Sequence, residues 1–190
     1  TEITTTGAAS VSGILLGQST TLIAGTDATV SGFLAGQNAL TLTASGDVEV
    51  TASGILFGAD LDVNAATFES TGAVLGTWID LNTTSGDLNQ NGTLIGDTVT
   101  LISATKLQHS GRSVGLVSLT ANAADALVTS AASEIAGGTV SLSAGSLQTA
   151  GLITADDALT LTSLSGDINN SAGLSGKTVT LSSAADVIHD

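Results

Sequence analysis

A period near 20 residues, kept from one end of the chain to the other, restricts this sequence to architectures built by stacking one unit on the next. The clearest unit runs from Leu81 to Ala104, LNTTSGDLNQNGTLIGDTVTLISA, and returns at Leu161 to Ala184 as LTSLSGDINNSAGLSGKTVTLSSA. Weaker copies begin near residues 1, 22, 41, 61, 119 and 142. Each copy holds a short strand with apolar residues at alternate positions, a Gly/Asp corner, a second short strand and a G-x-L-x-G element.

The glycine that closes each unit sets the frame. These corners fall at Gly17, Gly36, Gly58, Gly76, Gly96, Gly115, Gly137 and Gly176, with Ala155 in the one vacancy, giving spacings of 19, 22, 18, 20, 19, 22, 18 and 21. The unequal series repeats, so a four-unit block is read as an internal duplication, about 17–96 and 96–176. Two residues before each corner stands an apolar column of Leu15, Leu34, Leu56, Val74, Leu94, Ile135, Ile153 and Leu174, broken only by Ser113.

After each corner the alternation is strict, as in Leu61-Asp62-Val63, Ile79-Asp80-Leu81 and Val99-Thr100-Leu101, with Thr, Ser or Asp at the outward position. That is the pattern of a half-buried strand. The second strand, as in Val48-Glu49-Val50 and Leu88-Asn89-Gln90, presents Glu49, Glu69, Asn89, Gln108, Gln148 and Asn169 outward. Three short strands to a unit leave no room for a helix, so the chain is expected to wind as an all-β parallel β-helix of nine to ten coils. At about 4.8 Å per coil it would be a rod of roughly 45 Å. A β-sandwich would need hairpin turns, a calcium-binding roll would need GGxGxDx nonapeptides, and a leucine-rich repeat would need a helical segment; none of these is present.

Composition agrees with a core made of many small layers. Aromatics are 2% of the chain and charged residues 11%, against 42% hydrophobic, so Leu, Ile, Val and Ala must fill the interior. The net charge of −14 leaves only Lys106, Arg112 and Lys177 as bases, a balance that argues against nucleic acid and against insertion into anionic membrane. With no Cys there are neither disulfides nor thiolate metal sites. No Met is present, so the chain is expected to be a piece excised from a longer repeat array.

Signals for chemistry are sparse. His109 and His189 occupy one repeat position four coils apart, and no nucleophile–base set, paired-His spacing or phosphate loop is present. The one cluster is Asp60, Asp62 and Asp80 with Trp78: Asp62 and Asp80 should stack on adjacent coils beside the indole. Such a patch could hold a cation or a sugar ring, or could be a set of solvated outward positions. Asp27, Asp47, Asp87, Asp125, Asp167 and Asp186 are read as one corner column, each bonding backbone amides one or two residues on, with Thr67, Lys106 and Ser146 interrupting the like charges. In that register Lys106 lies between Asp87 and Asp125, and Arg112 beside Glu134. The apolar flanks of the G-x-L-x-G element, such as Ile14, Leu16, Phe33, Ile55, Phe57 and Leu75, are expected to tuck inward; the alternative is an exposed apolar strip. No metal or other cofactor is expected.

The run S-G-D-L-N-x-x-G-x-L-x-G-x-x-V-x-L over residues 85–101 resembles the haemagglutinin repeats of filamentous-haemagglutinin-like exoproteins of two-partner secretion, the adhesins and contact-dependent inhibition proteins of Gram-negative bacteria. The resemblance spans nearly the whole chain. It implies a right-handed β-helical stalk, exported through an outer-membrane transporter and displayed on the cell surface. The family's amino-terminal secretion motifs are not in this sequence, which therefore reads as a slice of stalk. The expected role is structural and adhesive, without catalysis, toward a host or neighbouring-cell surface through a protein receptor or a polysaccharide. A specific binding segment is the alternative, and a carbohydrate-active β-helix enzyme the less supported one.

Overall fold

The computed structural model describes residues 1–171 and 173–190. The chain is a parallel β-solenoid of about nine coils, and among the described residues every regular element is a strand. Each coil has three faces. The first carries the strand after the glycine corner, the second the short strand after the Gly/Asp corner, and the third the G-x-L-x-G strand. The third face of one coil runs into the first face of the next as a single bent strand, as in Ile55–Ala65, Ala73–Thr83 and Thr93–Ser103. Three strands were expected per unit; most coils make two, because the chain bends through this corner without leaving the ladder, and Arg112–Thr129 and Glu134–Thr149 run on through the second face as well. The ladder slips by one residue at most of these corners, as between Gly36 and Ala39 and between Gly96 and Thr98, and runs in step from Gly58–Gly76 to Asp60–Trp78.

All pairings are parallel and connect one coil to the next in the register the repeats predict. Gly17, Gly36, Gly58 and Gly76 stand in one column, and Gly137 pairs with Ala155. The long steps of the spacing series arise at the corner between the second and third faces. Most coils turn there in two residues; two coils use four, Thr51–Gly54 and Ser130–Ser133, each closed by a backbone bond from its fourth residue to its first.

Inside, each coil contributes one apolar residue from the third face, two from the first and one from the second. In one coil these are Leu56, Leu61, Val63 and Phe68, all at most 1% exposed. Each such burial contributes about 1.5–3 kcal/mol. Phe68, the largest wholly buried side chain, is flanked in its column by the smaller Val48 and by Leu88. Further along the first face the inward position is Ala on some coils and a hydroxyl residue on others. Thr83, Ser103 and Ser163 donate to the carbonyls of Gly86, Lys106 and Gly166 at 2.6–2.7 Å, closing the corner from within.

Three expectations need correction. The corner aspartates bond upward to the next coil, not along their own turn: Asp27 accepts from the Asp47 amide (2.9 Å), Asp47 from the Thr67 hydroxyl (2.7 Å), and Asp167 from the Asp186 amide (3.0 Å). Parallel coils bring the next amide within reach, and a carboxylate there satisfies it between rungs. Asp125 does not belong to the column. Its coil runs unbroken through this corner, and Asp125 stands two residues before the inward Leu127, not one as Asp87 does before Leu88, so Ala126 takes the place beside Lys106. Lys106 therefore lies over Asp87 alone, its amide donating to the Asp87 carboxylate (3.2 Å), while Arg112 pairs with Glu134 at 3.0 Å as expected. Finally, the flanks of the G-x-L-x-G element point outward, because Leu15, Leu34 and their equivalents already take the one inward place that alternation allows. Ile14 is 81% exposed, Leu16 53% and Phe57 40%; only Ala35 and Val114 are covered by their neighbours.

Candidate functional site

The sequence patch assembles on the first face of the fourth and fifth coils. Asp60 lies in register with Trp78, and Asp62 with Asp80. Alternation sends Leu61, Val63, Ile79 and Leu81 into the core and leaves the acids and the indole outside. Asn64 donates to Asp62 (2.8 Å), and Asn82 on the next coil donates to Asn64 (3.0 Å), so one edge of the patch is fixed by a short amide chain. Partial burial raises the Asp62 carboxyl above its ordinary range, and repulsion from Asp60 adds to it against the Asn64 bond. Burial raises Asp80 in the same way, followed by repulsion from Asp62 and Asp60. Trp78 is 60% exposed and leaves its face free.

Beside this patch run the apolar flanks that were expected to tuck inward and instead face outward. The outward positions of the third face are apolar on five successive coils: Ile14 and Leu16, Phe33 and Ala35, Ile55 and Phe57, Ala73 and Leu75, then Ile95. Thr93, Arg112 and Glu134 replace the apolar residues of one column on the fifth to seventh coils, while Val114 and Ala136 continue the other. At the bend between the third and first faces, where glycine corners supply no side chain, Phe57, Leu75 and Ile95 wall a cleft of ≈ 280 Å³ floored by Gly58, Ala59, Gly76 and Thr77.

A second feature lies inside. The inward column of the second face begins with Val30 and Val50 and then turns polar: Ser70, Gln90, His109, Thr129, Thr149 and Asn170, all at most 3% exposed. His109 pairs with Gln90 below and Thr129 above in the ladder. Its Nε2 shares a hydrogen bond of 2.8 Å with the hydroxyl of Ser113 across the interior. That bond explains the single break in the apolar column of the third face: Ser113 is there to meet His109. Burial lowers the His109 pKa to about 4, so the ring is neutral at pH 7. The Nδ1 of His109, the hydroxyl of Ser70 and both polar atoms of the Gln90 amide are buried without a partner. Strict alternation already pointed Gln90 and Asn170 inward; their polarity is what concealed the column.

Among the described residues no three Asp, Glu, His or Cys side chains converge on a point where one ion could be held. The acids of the patch have no base beside them, since Lys106, Arg112 and Lys177 all lie on other coils. Comparison with protein-family models, with curated proteins and with solved structures finds no match to this chain.

Proposed function

We propose that the chain is a stalk segment: a rigid, acidic, non-catalytic spacer within a secreted bacterial surface protein of the two-partner-secretion type, positioning a distal region for adhesion or for action on a neighbouring cell. The observation that supports this reading most is the uniformity of the solenoid. Each coil is bonded to its neighbours through the same three columns of pairings, and the outward columns of the first two faces are mainly Thr, Ser, Asn, Gln and Asp. Such a rod transmits position along its axis and gains reach with each coil. On this reading export passes through an outer-membrane transporter, and the partner is a receptor or polysaccharide on the facing surface.

The test compares two deletions within the surface protein that carries the segment. Removal of residues 18–96 and removal of residues 97–176 each take out four coils and rejoin a chain in frame with the corner glycines. Both should be secreted and should lower adhesion or inhibition by similar, modest amounts, because each shortens reach by about 20 Å. Loss confined to the first deletion, which removes Asp60, Asp62, Trp78 and Asp80, would instead favour a specific binding segment.

A further inference from the structure

We propose that the cleft at the Gly58–Gly76 bend is a docking surface for a basic amphipathic segment of another polypeptide, with Phe57, Leu75 and Ile95 receiving its apolar side chains and Asp62 and Asp80 its cationic ones. Two walls of opposite character meet along one line of the rod. Phe57 and Asp62 are five residues apart on one strand, as are Leu75 and Asp80 on the next, so the apolar and acidic columns run side by side, separated by at most about 17 Å of bent strand. A helix about 10–12 Å wide covers most of that interval, and a Lys or Arg side chain on its flank reaches the rest.

The apolar wall is unusual for this molecule. Each of the first five coils places at least one of Ile, Leu or Phe there, where the first two faces place mainly short polar residues; Thr93, Arg112 and Glu134 then take one of the two columns, while Val114 and Ala136 carry on the other. Contiguous exposed apolar surface of this kind marks an interaction site more often than a structural need. Charge selects the occupant. The strands Ile55–Ala65, Ala73–Thr83 and Thr93–Ser103 that form the cleft carry Asp60, Asp62, Asp80 and Asp97 and no base. A second copy of the chain, with a net charge of −14, would bring acid against acid. A sugar would find few hydrogen-bonding groups on the Phe57–Leu75–Ile95 wall. A segment with leucine-like side chains on one side and Lys or Arg on the other matches both walls. The raised Asp62 and Asp80 carboxyls fit this assignment, since burial first and repulsion from neighbouring acids second raise them, and a cation beside them would oppose both.

Trp78 is the only tryptophan of the chain and stands at the acidic wall, so its fluorescence reports occupancy directly. The probe is a capped 14-residue Leu/Lys peptide with leucines on one helical face and no aromatic residue, titrated into the full chain at 150 mM salt. Saturable binding with a shift of Trp78 emission is expected. L75T and F57S should each weaken it about tenfold, and the double substitution D62N/D80N about tenfold or more with a shallower salt dependence. The control E49Q/E69Q removes the same charge from the second face and should leave affinity within twofold. Thermal melts of each variant establish that the rod is intact. The proposal is overturned if E49Q/E69Q weakens binding as much as D62N/D80N, which would make the attraction one of net charge alone. It is equally overturned if L75T and F57S have no effect, if a Leu/Glu peptide binds as well, or if sedimentation shows self-association that L75T abolishes.

Discussion

Substituting Gly92 by Ala tests the closeness of coil stacking more sharply than any core truncation. The corner between the second and third faces carries a glycine on nearly every coil, and its backbone conformation is not the reason: among the described residues Gly151 alone has a positive φ, 87°. The reason is distance. A Cβ on Gly92 would lie 2.0 Å from the carbonyl oxygen of Gly72 one coil below, and one on Gly111 would lie 2.0 Å from that of Gly92. A carbon–oxygen contact tolerates about 3.3 Å, so the coils would have to part locally by about 1.3 Å. The bonds that would stretch are Asn91 N to Ser70 O (2.8 Å), Gly92 N to Ser70 O (2.9 Å) and Thr93 N to Gly72 O (2.9 Å). Losing two of these at about 1 kcal/mol each, with about 1–2 kcal/mol of overpacking, gives a cost of about 3–4 kcal/mol. Gly13 occupies the same column on the first coil, where nothing lies within 4 Å of a new Cβ. G13A should therefore be neutral, or stabilising by about 0.5 kcal/mol through the unfolded chain. Urea denaturation followed by far-ultraviolet circular dichroism gives both values from the midpoints, provided the slopes agree. A G92A variant within 0.5 kcal/mol of the parent, or a G13A variant as damaged as G92A, would refute the reasoning.

Two further predictions concern titration. The native fold holds His109 neutral with a pKa of about 4, while the unfolded imidazole protonates near 6.5. Its contribution is therefore complete above about pH 6.5 and is lost as pH falls toward 4, by about 3 kcal/mol at about 1.4 kcal/mol per unit. Chemical denaturation across this window should show that slope in the parent and a flatter one in H109Q; parallel curves would place the ring in water. Asp80 has the opposite sense, since a carboxyl raised in the fold opposes folding while charged and ceases to do so as pH falls through its folded pKa. D80N should raise the melting midpoint at pH 7 by about 1–2 °C at low salt, with the gain shrinking in 1 M salt and below pH 4. A lower midpoint at pH 7 would show that the Asp80 carboxylate stabilises the fold.

The solenoid was legible because its code is redundant. Column after column repeats one chemistry, so Leu34, Leu56 and Leu94 identify the inward position together even though none does so alone. The same redundancy placed Asp62 over Asp80 and Arg112 over Glu134. What the sequence concealed lies where one residue departs from its column for the sake of another. Ser113 breaks the apolar column only because His109, four residues earlier, needs a partner inside. Asp125 looks like a member of the Asp column by residue type, but it precedes the inward Leu127 by two residues where Asp47, Asp87 and Asp167 precede their inward neighbours by one, a difference of spacing that residue type masks. The direction of the Asp carboxylates was also hidden, because a bond to the residue's own turn and a bond to the next coil use the same side chain. The apolar flanks of the G-x-L-x-G element face solvent against expectation; alternation said so, and their hydrophobicity argued otherwise.

The central claim is that the molecule is a rod whose length is set by the number of identical coils and whose stability is local to each. Small-angle X-ray scattering of the chain and of its variant lacking residues 18–96 measures this directly. Gly17 is then followed by Asp97, which keeps every column in register. The account predicts an unchanged cross-sectional radius, retained β-circular dichroism and a maximum dimension shorter by about 19 Å, four coils at about 4.8 Å each. A variant that unfolds, or one that keeps the parent's length while its cross-section shrinks, would contradict it.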